Sequence, residues 1–229
     1  MSVSNLSLRR ALGGAVLVLV ATGIARMVAM SAAAAALGLN LESPRAEERG
    51  DGILIAVGIL AGVLFGGALL AWVARPALRS ALALERPTLR AFLGWTLVSL
   101  LLLFSVHGLG YLFGRPLAEP EWIDAYRTAP LALLGLALTL TSIFEELYFR
   151  GLLQTALTRT RIGAPGAVLA TAVLFTAAHF PGNAFRFADV FLTALLLGVA
   201  RRQSGSSLTM IPGHVLGNLA VLGVLAFVA

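Results

Sequence analysis

Seven mostly apolar runs divide the chain, at roughly 11–39, 53–74, 91–113, 129–157, 164–180, 185–200 and 207–228, with short polar stretches between them. A helix needs about 20 apolar residues to cross a bilayer. Most of the runs reach that length. The fifth and sixth are short and are divided by Phe180-Pro181-Gly182-Asn183, a turn signal. The pattern predicts an all-α fold, a polytopic transmembrane bundle of about seven spans in a single membrane domain over residues 1–229. Gly58, Gly62 and Gly66 recur at every fourth position of the second run, and Gly213 and Gly217 do so in the last. Small residues on one helix face allow a neighbouring helix to approach closely, so both sets are read as packing faces.

Composition sharpens this picture. Of 229 residues, 59% are hydrophobic and 12% charged, with mean hydropathy +0.90; soluble domains carry about 25% charged residues. The protein is expected in a membrane, the cytoplasmic membrane of a prokaryote, with the lipid bilayer as its solvent. All 17 basic residues are arginine, giving a net charge of +6. They lie in short stretches between apolar runs, so nucleic acid is not an expected partner. The absence of cysteine excludes disulfides, thiolate nucleophiles and cysteine metal sites.

Arginine placement predicts orientation. Arg9 and Arg10 precede run one, Arg75, Arg79, Arg86 and Arg90 follow run two, Arg159 and Arg161 follow run four, and Arg201 and Arg202 follow run six. The alternate loops hold Glu42, Glu47, Glu48 and Asp51, then Glu119, Glu121 and Asp124. This alternation puts the N-terminus in the cytoplasm. Arg9-Arg10 and the small residues Ser31-Ala32-Ala33 resemble a signal peptide and its cleavage site. The length of the run between them favours a retained span.

Against this background a few polar residues stand out. Run four reads LALLGLALTLTSIFEELYFRGLLQTAL and contains Glu145, Glu146 and Arg150. Run five ends at His179, and run seven holds His214 and Asn218. A charge in hydrocarbon costs at least a few kcal/mol, and adjacent carboxylates repel. Glu146 and Arg150 are four apart and can pair on one helix face. Glu145 is rotated from Glu146 by about 100° and points elsewhere. His214 and Asn218 share a face, as do Phe175 and His179. With a rise of about 1.5 Å per residue, Glu145, His179 and His214 lie roughly 18, 22 and 10 Å from the cytoplasmic ends of their spans, and tilt would bring them into one cavity.

A carboxylate beside a histidine takes a proton from water, which then attacks a carbonyl. A second histidine and an asparagine amide supply donors for the oxyanion. The set suits peptide hydrolysis without a covalent intermediate. No span carries H-E-x-x-H. Asp51, Asp124 and Asp189 are not placed to form an intramembrane pair, and Ser204-Gly205-Ser206-Ser207 reads as a turn in a basic loop.

Three motifs carry a family resemblance. Glu145-Glu146-Leu147-Tyr148-Phe149-Arg150 resembles the E-E-x-x-x-R motif of the CPBP family, which includes CAAX prenyl-protein endopeptidases and bacteriocin-processing or immunity proteins. Phe175 to His179 resembles its F-x-x-x-H motif, and His214 to Asn218 its H-x-x-x-N motif. Each alone is unspecific; all three in order, each on its own span, are not. The resemblance covers about 129–228, the expected catalytic core, and leaves 1–113 as an N-terminal three-helix part without motifs. It implies an intramembrane endopeptidase in which Glu145 is the general base with His179, and His214 and Asn218 stabilise the oxyanion. Glu146 and Arg150 are implied to be supporting residues. Phe175 is read as packing beside the site. Zinc held by Glu145, His179 and His214 is an alternative, but a metal-free site explains Asn218 better.

The implied partner is a peptide or membrane-protein substrate. A non-proteolytic immunity or scaffold protein that binds a membrane peptide is the alternative, and a proton-coupled transporter a third reading. His107 reads as a helix-packing residue. Trp72, Trp95 and Trp122 read as interface anchors. Pro212 either marks the first turn of the last helix or widens an entry to the cavity. Arg26 snorkels, pairs with Glu146 or marks a break in the first span.

Overall fold

The computed structural model describes residues 6–39, 51–115, 123, 128–180 and 182–228. Among the described residues the regular structure is helical throughout, with seven main helices. Helix α1 (Leu8–Ala36) begins where the Ser7 side chain accepts from Arg10 N at 3.3 Å. Helix α2 (Asp51–Ala74) runs antiparallel to it. Positions along α2 that face α1 count upward as their α1 partners count down: Gly58 meets Arg26 and Met30, Gly62 meets Thr22, and Gly14 meets Val73. A Cβ at Gly62 would lie 3.0 Å from the Thr22 carbonyl oxygen. The glycine stripe is therefore a packing face, as its spacing predicts.

After α2 the chain makes a 3-10 turn (Arg75–Ala77) and a short helix, α3 (Leu78–Ala81). It then dips into the protein at Leu82 and Ala83, both buried, with Ala83 in the left-handed region at φ 51°. Helix α4 (Leu89–Leu112) is capped by Thr88, whose hydroxyl accepts from Ala91 N at 3.2 Å. It lies at the periphery, with Leu93, Leu97, Leu101 and Phe104 exposed on its outer side. Such a face suits lipid. The inner side of α4 receives the last helix (Ile211–Val228), where a Cβ at Gly213 would lie 2.8 Å from Ser99 Cβ.

Helix α5 (Leu131–Glu145) passes without a break into a π-helical segment (Glu146–Leu153) and then α6 (Gln154–Thr158). Helices α7 (Gly163–Ala178) and α8 (Ala184–Ser204) pack side by side, α8 capped by the Asn183 carboxamide, which accepts from Arg186 N at 2.9 Å. Gly205, at φ 73°, ends α8 in the left-handed conformation usual for glycine there. A 3-10 turn (Ser207–Thr209) leads into α9 (Ile211–Val228), with Pro212 in its first turn. The first-turn reading of Pro212 is thus the one that fits. The main core joins α1, α2, the π segment, α7 and α8 through Val18, Leu70, Tyr148, Phe149, Leu152, Phe175 and Ala194.

Among the described residues five helical stretches are long and apolar enough to cross a membrane: Leu8–Ala36, Gly52–Ala81, Leu89–Leu112, Leu131–Thr158 and Ser207–Ala226. The other two expected spans fall short of that mark. Gly163–Ala178 has 16 residues, and Ala184–Ser204 carries Arg186, Asp189, Arg201 and Arg202. Arg186 and Asp189 neutralise each other across 2.8 Å.

Helix α1 is continuous through Arg26, which is exposed, so the break and the pairing with Glu146 are both ruled out. His107 Nδ1 lies 3.0 Å from the Leu103 carbonyl oxygen of its own helix. Trp72 is exposed, flanked by the guanidinium groups of Arg10 and Arg75 at 5.7 Å each, and fits an interface anchor. Trp95 is half-buried and packs on Leu197, Ala200 and Met210. Trp122, Pro181, Glu42, Glu47, Glu48, Glu119, Glu121 and Asp124 lie outside the described residues, as does the Asp51 side chain.

The Ser204-Gly205-Ser206-Ser207 stretch does more than turn the chain. Ser206 Oγ donates to the Glu85 carbonyl at 2.5 Å, Ser207 Oγ donates to the Leu82 carbonyl, and Ser207 N donates to the Ala83 carbonyl at 3.0 Å. These bonds fasten the dipping strap of residues 82–85 beneath the C-terminal helices. Gly151 of the π segment presses on the same strap, where a Cβ would lie 2.9 Å from the Leu82 carbonyl oxygen.

Candidate functional site

The polar residues singled out in the sequence converge where α5 becomes π-helical. Glu145 is the last residue of α5 and Glu146 the first of the π segment. A π turn adds a residue to the helical repeat, and such segments recur at functional sites. Here the Arg150 carbonyl inside it accepts from Arg201 Nε at 3.2 Å, and Arg201 also donates to Thr155 Oγ1 at 2.9 Å. Arg201, read from the sequence only as a loop charge, thus holds the wide turn from the side.

Glu146 is fully buried. Its Oε1 accepts from Arg150 Nη1 at 3.1 Å and from His214 Nδ1 at 2.8 Å. Arg150, also buried, donates from Nη2 to the Ala194 carbonyl at 3.2 Å, and its guanidinium sits 4.4 Å from the centre of the Phe175 ring. Burying either charge alone would be costly; burying them as a hydrogen-bonded pair is tolerable. The pairing expected from the four-residue spacing is present.

Glu145, rotated from Glu146 along the helix, meets the other nitrogen of the His214 ring. Its carboxylate is 17% exposed, with Oε1 3.8 Å from His179 Nε2 and Oε2 3.6 Å from His214 Nε2. Both distances exceed a direct hydrogen bond and are of the kind that a water can bridge. The tautomers follow from the other ring nitrogens. His179 Nδ1 lies 2.8 Å from the Phe175 carbonyl oxygen, which only accepts, so Nδ1 carries the hydrogen. His214 Nδ1 faces the Glu146 carboxylate and carries its hydrogen for the same reason. In both rings Nε2 is the nitrogen turned towards Glu145. A carboxylate set between two imidazole nitrogens at these distances leaves room for water and a route for protons.

Phe175 is part of this construction. Its ring stacks on His179 with centroids 4.2 Å apart and meets His214 edge-on at 6.1 Å. It buttresses both imidazoles and fixes one through its carbonyl. His179 itself ends α7, and the next residue, Phe180, is exposed and in the left-handed region at φ 44°.

Asn218 lies one turn beyond His214 on α9. Its Nδ2 donates to Ser142 Oγ at 2.9 Å, and Ser142 Oγ donates in turn to the Leu138 carbonyl at 2.8 Å. The sequence reading overlooked Ser142, whose one signal is a hydroxyl four residues before Glu146 in a run of leucines. Two open cavities, of about 380 and 340 Å³, lie elsewhere: one lined by Arg90, Trp95 and Gln203, the other by Leu64, Phe144 and Leu147. Among the described residues no set of three His, Asp or Glu side chains is disposed to hold a metal ion.

An apolar helical bundle in which carboxylates and histidines from three helices converge defines an integral membrane protein built around a polar centre. Residues 127–220 match the family model described as type II CAAX prenyl endopeptidase Rce1-like, and all three motifs lie inside that segment. That segment, under half of the chain, is similar to the family, as the motifs lead one to expect, and the similarity supports a peptide hydrolase of the CAAX-type intramembrane kind at the family level. No curated protein and no solved structure matches the chain.

Proposed function

We propose that the protein hydrolyses a peptide bond of a membrane-bound substrate with water activated by Glu145 and His179. The bracketing of the Glu145 carboxylate by two imidazole Nε2 atoms, at 3.8 and 3.6 Å, carries this reading. Glu145 takes a proton from water while the water oxygen bonds to the scissile carbonyl carbon. The negative charge that develops on the carbonyl oxygen is met by the Asn218 amide and by a His214 imidazolium that keeps its Nε2 proton throughout the cycle. The carbon–nitrogen bond then breaks, and the proton held by Glu145 passes to the leaving amine. Glu146 contributes by fixing the His214 ring through Nδ1, and Arg150 balances its charge.

Wild type and Glu145→Ala, expressed at equal levels, are to be compared for new N-termini across the host membrane proteome. Termini that arise only with wild type are expected. His179→Ala is expected to abolish them as well, with both variants still folded. Identical termini from folded wild type and Glu145→Ala would overturn the proposal in favour of a membrane-peptide binder of the immunity or scaffold kind. Purified protein is expected to remain active after chelation; activity lost to a chelator and restored by zinc would instead support Glu145, His179 and His214 as zinc ligands.

A further inference from the structure

We infer that Ser142 is a positioning residue that fixes which end of the Asn218 carboxamide faces the reaction; this rests on the proposed role of Asn218 as an oxyanion donor. A carboxamide has a donor end and an acceptor end of nearly the same shape, and rotation by half a turn exchanges them. Towards an oxyanion the two ends act oppositely. The amino end stabilises the charge, whereas the carbonyl end repels it.

Ser142 removes the ambiguity. It is fully buried on α5, four residues before Glu146. A hydroxyl has one hydrogen, and that of Ser142 is engaged by the Leu138 carbonyl one turn back, at 2.8 Å. Towards Asn218, 2.9 Å away, the Ser142 oxygen therefore only accepts. The amide must present its amino group to Ser142, since a carbonyl oxygen there would face a lone pair. One amino hydrogen is spent on this bond and the second remains for the substrate. The Leu138–Ser142–Asn218 chain thus converts a helix carbonyl into a directional constraint on a side chain of another helix. It also ties α5, which carries Glu145, to α9, which carries His214, so base and oxyanion donors keep a common frame.

The test uses full-length wild type, Ser142→Ala, Asn218→Ala and the double variant, in liposomes with a quenched-fluorescent prenylated CAAX peptide. Alanine is the best helix former, so Ser142→Ala keeps α5 intact, which circular dichroism checks. Loss of an oxyanion donor costs roughly 100- to 1,000-fold in kcat. Asn218→Ala is expected to approach that range. Ser142→Ala is expected to lower kcat by about tenfold or more with KM changed less than about twofold, as befits a group acting only in the transition state. The double variant is expected to be no worse than Asn218→Ala. Equal kcat for Ser142→Ala and wild type, or losses that multiply in the double variant, would overturn the inference.

A second readout does not depend on activity. The chain has four asparagines, Asn5, Asn40, Asn183 and Asn218, so ¹⁵N-asparagine labelling gives few side-chain signals. The Asn218 amino pair is expected to show one hydrogen shielded from exchange in wild type and neither in Ser142→Ala. An unshielded pair in wild type would overturn the inference by itself. A wild type that shields the pair yet cleaves nothing would count against the proposed function, leaving the Ser142–Asn218 bond in place without a catalytic role.

Discussion

Glu146 and Arg150 show how far a single residue's fate depends on its neighbours. Both are buried, and each has the other as its charge partner. Removing one partner of a buried pair leaves an uncompensated charge, at a cost of about 3–5 kcal/mol. Arg150→Ala is therefore expected to destabilise the protein by that order, read as a lowered midpoint of denaturation in mixed micelles. Glu145→Gln, whose carboxylate is partly exposed and holds no direct hydrogen bond to either imidazole, is expected to unfold at the wild-type midpoint while losing activity. Thermal melts of the two variants side by side separate a supporting role from a catalytic one. At this scale the sequence was informative. Ionisable residues in apolar runs are rare enough to be noticed, and helical spacing alone paired Glu146 with Arg150 and rotated Glu145 from Glu146. Ser142 escaped because a serine in an apolar helix ordinarily bonds its own preceding carbonyl, and nothing in the residue order tells that it also accepts from α9.

At the scale of elements, the π segment is the feature that no periodicity announced. Its eight residues, Glu146–Leu153, are almost all buried. A run buried on every side carries no polar face from which the helical repeat could be read. Gly151 was its only trace. A Cβ there would meet the Leu82 carbonyl oxygen at 2.9 Å, backbone rather than a flexible side-chain end. Gly151→Ala is expected to cost about 1–3 kcal/mol, the usual penalty of overpacking. It is also expected to reduce cleavage beyond what the lost stability explains, because the displaced turn carries Glu146. Activity measured well below the unfolding midpoint checks this. The helices themselves were legible in place, but not every one as a membrane span. Hydropathy counts residues without knowing their partners, and the α7–α8 pair is short in one helix and charged in the other.

For the molecule as a whole, the alternation of basic and acidic stretches proposes an N-terminus in the cytoplasm. The lack of cysteine makes this simple to test. Ser80→Cys, exposed beyond α2, is expected to react with a membrane-impermeant maleimide in inverted vesicles and not in intact cells. Gly38→Cys, at the other end of α1, is expected to do the opposite. The reverse pattern would turn the bundle over. Where the motifs stop is legible in the sequence and sets the expected bound between an N-terminal part and a motif-bearing core. What joins the two is not legible, since backbone carbonyls leave no mark in a sequence.

That joint bears on which part of the chain is portable. The segment matching the family begins at residue 127, yet the hydroxyls of Ser206 and Ser207 and the face of Gly151 are completed by Leu82, Ala83 and Glu85. A transplant cut at the family boundary would carry the reacting groups away from the floor on which they rest, leaving buried donors without acceptors. The smallest unit that can be moved intact therefore starts upstream of the strap. In a graft between two such proteins, residues 82–85 travel with the transplanted segment that carries the candidate site, not with the helices that precede them.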